Sequence, residues 1–84
     1  MNKYYMEFVN DLSTEEMLIS IGKPKLKEIY DNALTMRESA QEEKLTELQL
    51  PDCDFNLVEE LQDEVDMYDE LLIKLEEAIE NDYI

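Results

Sequence analysis

The stretch that decides the fold is NLVEELQDEVDMYDELLIKLEEAIE, residues 56–80. Its apolar residues recur at alternating spacings of three and four, at Val58, Leu61, Val65, Tyr68, Leu72, Leu75 and Ile79. This unbroken heptad seam predicts one long helix from about residue 56 to about residue 81. Leu57, Leu71 and Ala78 widen the apolar stripe on one flank.

The rest of the chain also has a helical composition. One Gly and two Pro stand among 84 residues, and Glu, Leu, Lys, Met, Ala and Gln, all strong helix formers, fill the segments between them. Asn-Gly and Asp-Gly, the usual hairpin signals, do not occur. We therefore expect an all-α fold, a small bundle of about four helices.

Two short helices are predicted at the N-terminus. Tyr5, Phe8, Val9 and Leu12 follow helical spacing over residues 3–12, although Tyr, Phe and Val also favour a short strand. Ser13-Thr14-Glu15-Glu16 has the form of a capping box, which starts a helix over residues 14–21. Gly22 is suited to end that helix in a left-handed cap.

A second long helix is predicted over residues 24–48, with Pro24 in its first turn. Its apolar stripe consists of Leu26, Ile29, Tyr30, Ala33, Met36 and Ala40. Ser39-Ala40-Gln41-Glu42 resembles another capping box, so a break near Ala40 is the alternative to one continuous helix. Residues 49–53 form a linker, after which Asp54 or Asn56 caps the last helix. The two long helices then make an antiparallel αα-hairpin within one acidic helical domain, residues 1–84.

Several classes of function are excluded by composition. The chain has no His, one Cys and one Gly, so His-based catalysis, the usual zinc sites, disulfides and glycine-rich phosphate loops are not expected. We expect a non-enzyme without cofactor or metal, in a reducing, cytoplasmic environment. No apolar run approaches the length of a membrane span, and the N-terminus lacks the pattern of a signal peptide.

Negative charge is concentrated near the C-terminus. The chain has 23 Asp and Glu against 7 Lys and Arg, a net charge of −16. Residues 52–84 hold 13 acidic residues and one base, Lys74, a net charge of −12. Seven carboxylates avoid the heptad seam and are the candidate partner-binding residues: Glu59, Glu60, Asp63, Glu64, Asp66, Asp69 and Glu70. Over ~18 Å of helix they supply one charge per ~2.6 Å, which lies between the ~1.7 Å of duplex DNA and the ~3.4 Å of one strand.

Such a surface has two interpretations. Charged helix faces commonly do no more than keep a protein in solution. However, solubility needs a net charge of only about 2–8 in a small domain, and ordinary exposed helices interleave Lys with Glu. We therefore expect the carboxylates to face outward together and to bind a basic protein surface, and we expect repulsion from membranes and free nucleic acid.

Other motifs carry weaker signals. Lys23, Lys25 and Lys27 form a basic island at a helix start, typical of a solvated loop or of pairing with acidic residues. Asp52-Cys53-Asp54-Phe55-Asn56 begins like a calcium loop, but the sixth position is Leu57 instead of Gly, and a helix cap accounts for it better. Met67 lies off the seam and is a candidate exposed contact.

Two kinds of side chain complete the candidates. Tyr4, Tyr5 and Tyr83 lie near the termini and are candidate interface anchors. The acidic surroundings of Cys53 are expected to raise its thiol pKa.

In size, acidity and absence of catalytic groups, the chain resembles phage-encoded anti-defence proteins, namely DNA mimics that block restriction enzymes and anti-CRISPR proteins. This resemblance is one of overall character and carries over no residue assignments. It implies an inhibitor that occupies the basic nucleic-acid-binding groove of another protein. The alternatives are an antitoxin or immunity protein for a basic toxin, and a structural module that dimerises through the heptad seam.

Overall fold

The computed structural model describes residues 2–80. These residues form four α-helices and no strand: α1 (Lys3–Asn10), α2 (Thr14–Ser20), α3 (Lys23–Leu48) and α4 (Phe55–Glu80). The predicted all-α fold is confirmed, with a long hairpin and two short N-terminal helices. The predicted helix end at residue 81 and the candidate anchor Tyr83 lie outside the described residues.

The hairpin of α3 and α4 forms the long axis of the molecule. Each helix has 26 residues, which corresponds to about 39 Å, and the molecule measures 53 × 18 × 18 Å. The third helix continues through Ala40, so the alternative of a break there does not occur. Ala40 is instead buried against α4, with Leu61 and Val65.

The helix starts follow local side-chain chemistry. The Ser13 hydroxyl accepts a hydrogen bond from the Glu16 amide at 3.2 Å, and the Glu16 carboxylate accepts one from the Ser13 amide at 3.3 Å. The predicted capping box is thereby confirmed. Of the two candidate caps of α4, Asp54 is the one used, because its carboxylate accepts from the amides of Asn56 at 3.0 Å and Leu57 at 3.4 Å.

Gly22 connects α2 to α3 in a conformation that differs from the prediction. Its φ of 90° is positive, as expected, but its ψ of 149° lies outside the left-handed helical region. Its amide donates to the Met17 carbonyl at 3.2 Å, and the same residue is the N-cap of α3. One residue therefore ends one helix and starts the next, which requires an extended ψ.

The main core lies at the end of the hairpin that is remote from its loop. There α1 and α2 pack on α4, and α2 also contacts α3. The buried side chains of this core are Met6, Val9, Met17, Leu18, Leu26, Ile29, Ala33, Tyr68, Leu71, Leu75 and Ala78. Towards the loop, the buried cluster shrinks to Ala40, Leu61 and Val65. The loop half of the hairpin is thus a two-helix arm.

The apolar seam of α4 differs from a strict heptad repeat. Leu71 and Ala78 are fully buried, whereas the predicted seam residues Leu72 and Ile79 are only half-buried. Over this half of α4 the helices α1 and α2 pack on it, and they cover the flank that carries Leu71 and Ala78. The apolar stripe of α4 is therefore buried by the other helices of the same chain.

Candidate functional site

One side of the hairpin carries the contacts between charged and polar side chains of α3 and α4. The Arg37 guanidinium is hydrogen-bonded to the Asp69 carboxylate, and Lys44 donates to the Gln62 amide oxygen at 2.6 Å. The Gln62 amide nitrogen donates in turn to Asp66 at 2.9 Å. We call this the Arg37 side; both of its bases are engaged by α4.

The opposite side carries three adjacent cavities, which we describe together as one groove. Ser39 lies about 200° around α3 from Arg37, and Glu64 lies about 200° around α4 from Gln62. Here a loop-end cavity of about 460 Å³ shares Ser39 with a middle cavity of about 230 Å³. The middle cavity shares Glu64 with a third, of about 340 Å³, between α1 and α4. The three cavities therefore follow one another along the hairpin, and each neighbouring pair has a lining residue in common.

This acidic groove is defined by the carboxylates that line it, which come from three helices. They are Glu7, Glu42, Glu43, Glu47, Glu60, Asp63 and Glu64. Lys3 is the single base among the lining residues. Along α4 the groove runs from Leu57 to Tyr68, ~16.5 Å, so its net lining charge of −6 corresponds to one charge per ~2.8 Å. Duplex DNA carries one per ~1.7 Å.

Lys3 is held in the groove by Glu64. Its ammonium lies 3.0 Å from the Glu64 carboxylate, and both side chains remain partly exposed. The hydrogen bond to Glu64 raises the pKa of Lys3, and the charges of Glu64 and Glu7 add to this rise, although partial burial opposes it. Lys3 therefore stays cationic and neutralises one carboxylate of the groove.

Tyr68 forms part of the groove wall beneath Lys3 and Glu64. It is almost completely buried, and it lines the middle cavity. Burial raises the pKa of Tyr68, and the charge of Glu64 raises it further, while Lys3 acts in the opposite direction. The phenol is therefore neutral at physiological pH and adds no charge to the groove.

The seven carboxylates singled out from the sequence are divided among three sides of α4. Glu60, Asp63 and Glu64 line the acidic groove, whereas Asp66 and Asp69 lie on the Arg37 side with hydrogen-bond partners. The last two are exposed: Glu70 lies 3.7 Å from the Lys74 ammonium, and Glu59 has no hydrogen bond or ion pair within residues 2–80. Since Glu64 and Asp69 point about 140° apart around the helix, the seven do not form a single face.

Four groove carboxylates were missed by the sequence reasoning. Glu7 comes from α1, and Glu42, Glu43 and Glu47 come from α3. Glu43 and Glu47 are spaced i,i+4 on the stripe beside the apolar seam, and a short loop brings them opposite residues 57–64. The antiparallel register of α3 and α4 therefore places Glu42, Glu43 and Glu47 in the groove, whereas Glu7 depends on how α1 packs on α4.

Of the remaining candidates, Tyr5 packs against the main core, whereas Tyr4 is 79% exposed. Lys25 pairs with Glu28 at 3.4 Å. Met67 is half-buried against the core, and it also lines the cavity between α1 and α4. Burial raises the pKa of the Cys53 thiol, and Glu47, Asp54 and Asp52 raise it further, the predicted direction. No group of three or more metal-ligating side chains occurs within residues 2–80.

Comparison with known proteins adds no family to this picture. No protein-family model matches the sequence, and neither a curated protein nor a solved structure shows significant similarity to it. No helix in the described part of the chain is long and apolar enough to cross a membrane.

Proposed function

We propose that this protein is a non-catalytic inhibitor that occupies the basic nucleic-acid-binding surface of another protein. The observation that carries the proposal is the acidic groove. Seven carboxylates from three helices line it, together with one basic side chain, Lys3, which is paired with Glu64. Carboxylates at this spacing attract the Lys and Arg side chains that otherwise contact phosphates.

The distribution of bases favours a binding surface over a solvated one. No Lys or Arg occurs in residues 45–73, which include the whole loop half of α4. On an ordinary exposed helix, Lys four residues after Glu adds a favourable pair, and this segment omits every such pair. Repulsion among these carboxylates destabilises the folded protein. A basic partner relieves that repulsion, which adds to the free energy of binding.

The groove is built on packed helices. Its carboxylates project from helices that are held together by the buried residues Ala40, Leu61 and Val65 and by the polar contacts of the Arg37 side. Side chains on packed helices lose little backbone freedom on association, which preserves affinity. The concentrated charge also accelerates encounter with a basic partner.

Dimerisation through the heptad seam is less well supported. The seam residues of α4 are covered by α3, α1 and α2 within one chain. A second copy could use this stripe only if the hairpin opened and exposed the core. The monomeric packing thus favours an interaction through charged surface over a coiled coil.

The proposal is tested by affinity purification from the cytoplasm of a bacterial host, with the protein immobilised at low salt. We expect the retained proteins to be nucleic-acid-binding proteins that elute as sodium chloride rises and that duplex DNA displaces. Retention that is independent of salt, or partners that hold the protein and DNA at the same time, would contradict charge mimicry.

A further inference from the structure

Tyr68 carries a hydroxyl for which the fold provides no partner. The side chain is 2% exposed and belongs to the main core. Within residues 2–80 its hydroxyl neither donates nor accepts a hydrogen bond. The hydroxyl of a buried tyrosine usually has such a partner, because an unpaired polar group away from water is unfavourable. The unpaired Tyr68 hydroxyl therefore indicates a ligand.

The Tyr68 hydroxyl faces the middle cavity of the acidic groove. Among the described residues, Oδ1 of Asn10 is the one fully enclosed side-chain polar atom that lacks a hydrogen bond. The Tyr68 oxygen is therefore not fully enclosed, and Tyr68 lines the middle cavity. The charges of Glu64 and Lys3, which line the same cavity, act on the pKa of Tyr68. The groove thus has an unpaired hydroxyl at its centre.

Two carboxylates from different helices share the cavity with this hydroxyl. Ser39 and Glu43 lie one turn apart on α3, and Glu64 and Tyr68 lie one turn apart on α4. The Glu43 carboxylate has no hydrogen bond or ion pair within residues 2–80. The cavity therefore combines two negative charges with hydroxyl oxygens, and part of its hydrogen-bonding capacity is unused.

The cavity also has an apolar part, which Met36 and Ala40 line. Its volume of about 230 Å³ corresponds to roughly seven or eight waters at about 30 Å³ each. This space suits one long side chain that has an apolar stem and a cationic head. The protein itself supplies an example of such a contact, since the Lys3 ammonium lies 3.0 Å from the Glu64 carboxylate.

We propose that the middle cavity binds the guanidinium of one arginine side chain of the partner. This inference rests on the proposed function, because it assigns the arginine to the partner's nucleic-acid-binding surface. A guanidinium has five N–H donors in a planar fork, so it can donate to Glu43, Glu64 and the Tyr68 hydroxyl together. A lysine ammonium has three donors on a single nitrogen and spans the two helices less well. Arginine is also a frequent phosphate ligand in nucleic-acid-binding proteins.

Two peptides of equal length and equal charge serve as probes. Both alternate Gly with a basic residue, which is Arg throughout one peptide and Lys throughout the other. Fluorescence anisotropy at low salt measures their binding to the wild type, to Tyr68→Phe and to the control Tyr30→Phe. Tyr30 is a half-buried tyrosine of α3 outside the groove. Circular dichroism checks that each variant is folded.

The hydroxyl should determine the preference between the two peptides. We expect the wild type and Tyr30→Phe to bind the Arg peptide about tenfold more tightly than the Lys peptide. Tyr68→Phe should lose most of this preference, because it keeps the ring and removes only the oxygen that accepts from the guanidinium.

A second measurement reports contact in the wild-type protein. Tyrosine is labelled with ¹³C at Cζ, and the resonances of Tyr68 and Tyr30 are assigned by their absence from the two Phe variants. We expect the Tyr68 resonance to move as the Arg peptide is added and the Tyr30 resonance to stay, because only the first hydroxyl gains a hydrogen bond.

The outcomes separate the two proposals. If neither peptide binds at low salt, the proposed function fails and the arginine site fails with it. The proposed function survives and the arginine site is overturned if the two peptides bind the wild type equally well, if Tyr68→Phe keeps the preference for Arg, or if the Tyr68 resonance does not move. The Tyr68 hydroxyl would then contact only water.

Discussion

Lys74, the single base of α4, donates a hydrogen bond to the backbone carbonyl of Asn10 at 2.6 Å. Asn10 is the last residue of α1, and a lysine there satisfies one of the carbonyls that a helix end leaves without an intrahelical partner. At the other end of α1, Lys3 reaches Glu64. The two lysines therefore hold α1 along α4, which explains why the acidic helix keeps one base.

Replacement of Lys74 should loosen the N-terminal helix. We expect Lys74→Met, which retains much of the apolar stem, to lower the free energy of unfolding by about 1–3 kcal/mol, because a hydrogen bond to a charged donor is lost. Urea denaturation measures this change. Lys25→Met is the control, since Lys25 contacts only an exposed neighbour at 3.4 Å and its loss should have an effect below about 0.5 kcal/mol. Equal effects of the two substitutions would contradict the role of Lys74 in holding α1 on α4.

The altered seam of α4 makes a prediction about two adjacent leucines. Leu71→Ala removes a fully buried side chain and should destabilise the protein by about 2–5 kcal/mol. Leu72→Ala removes a half-buried one and should have a clearly smaller effect. A strict heptad repeat predicts the opposite order. Thermal or urea unfolding of both variants decides between the two registers.

Gly22 is the position where backbone conformation restricts the residue type. Its φ of 90° with a ψ of 149° belongs to a region that is almost exclusive to glycine, and a Cβ there would meet nothing within 4 Å. Gly22→Ala should therefore be destabilising through backbone strain alone, by about 1–3 kcal/mol. Ser20→Ala, at the end of α2, is the control and should change the free energy of unfolding by less than about 0.5 kcal/mol. A neutral Gly22→Ala variant would contradict the observed backbone geometry.

Alkaline pH should weaken the α1–α4 contact. The pKa values of Lys3 and Tyr68 are both raised in the folded protein, by the Glu64 hydrogen bond and by burial respectively. In the unfolded chain both groups have a pKa of about 10. A group whose pKa is raised by folding adds its full stabilisation below its unfolded pKa, and this stabilisation is lost as the pH rises through its pKa in the folded protein. We expect the melting temperature to fall above about pH 10. Tyr68→Phe, which keeps the ring and removes the ionisation, should show a shallower fall; an equal fall would exclude Tyr68 as a cause.

The fold was largely predictable because its signals are local. The apolar periodicity of residues 56–80, the capping box at Ser13 and the loop before Asp54 each act within one or two helical turns. The groove was less predictable, since it depends on which stripes of α3 and α4 become neighbours. In α4, Leu71 is buried in place of Leu72 because α1 and α2 pack against that flank. The residue spacing within α4 alone does not show where those helices pack.

The most direct test of the central claim compares two charge-matched variants in a competition experiment. The groove variant combines Glu42→Gln, Glu43→Gln, Glu60→Gln and Asp63→Asn, and the control combines Asp31→Asn, Glu38→Gln, Glu76→Gln and Glu77→Gln, four exposed acids outside the groove. The Kd of each for the partner retained from the lysate is measured across a salt series, with duplex DNA as competitor. We predict that the groove variant loses at least about tenfold in affinity and has a shallower salt dependence, while the control stays close to the wild type and DNA competes with both. Equal affinities of the two variants, or a ternary complex with DNA, would contradict the claim that the acidic groove stands in for nucleic acid.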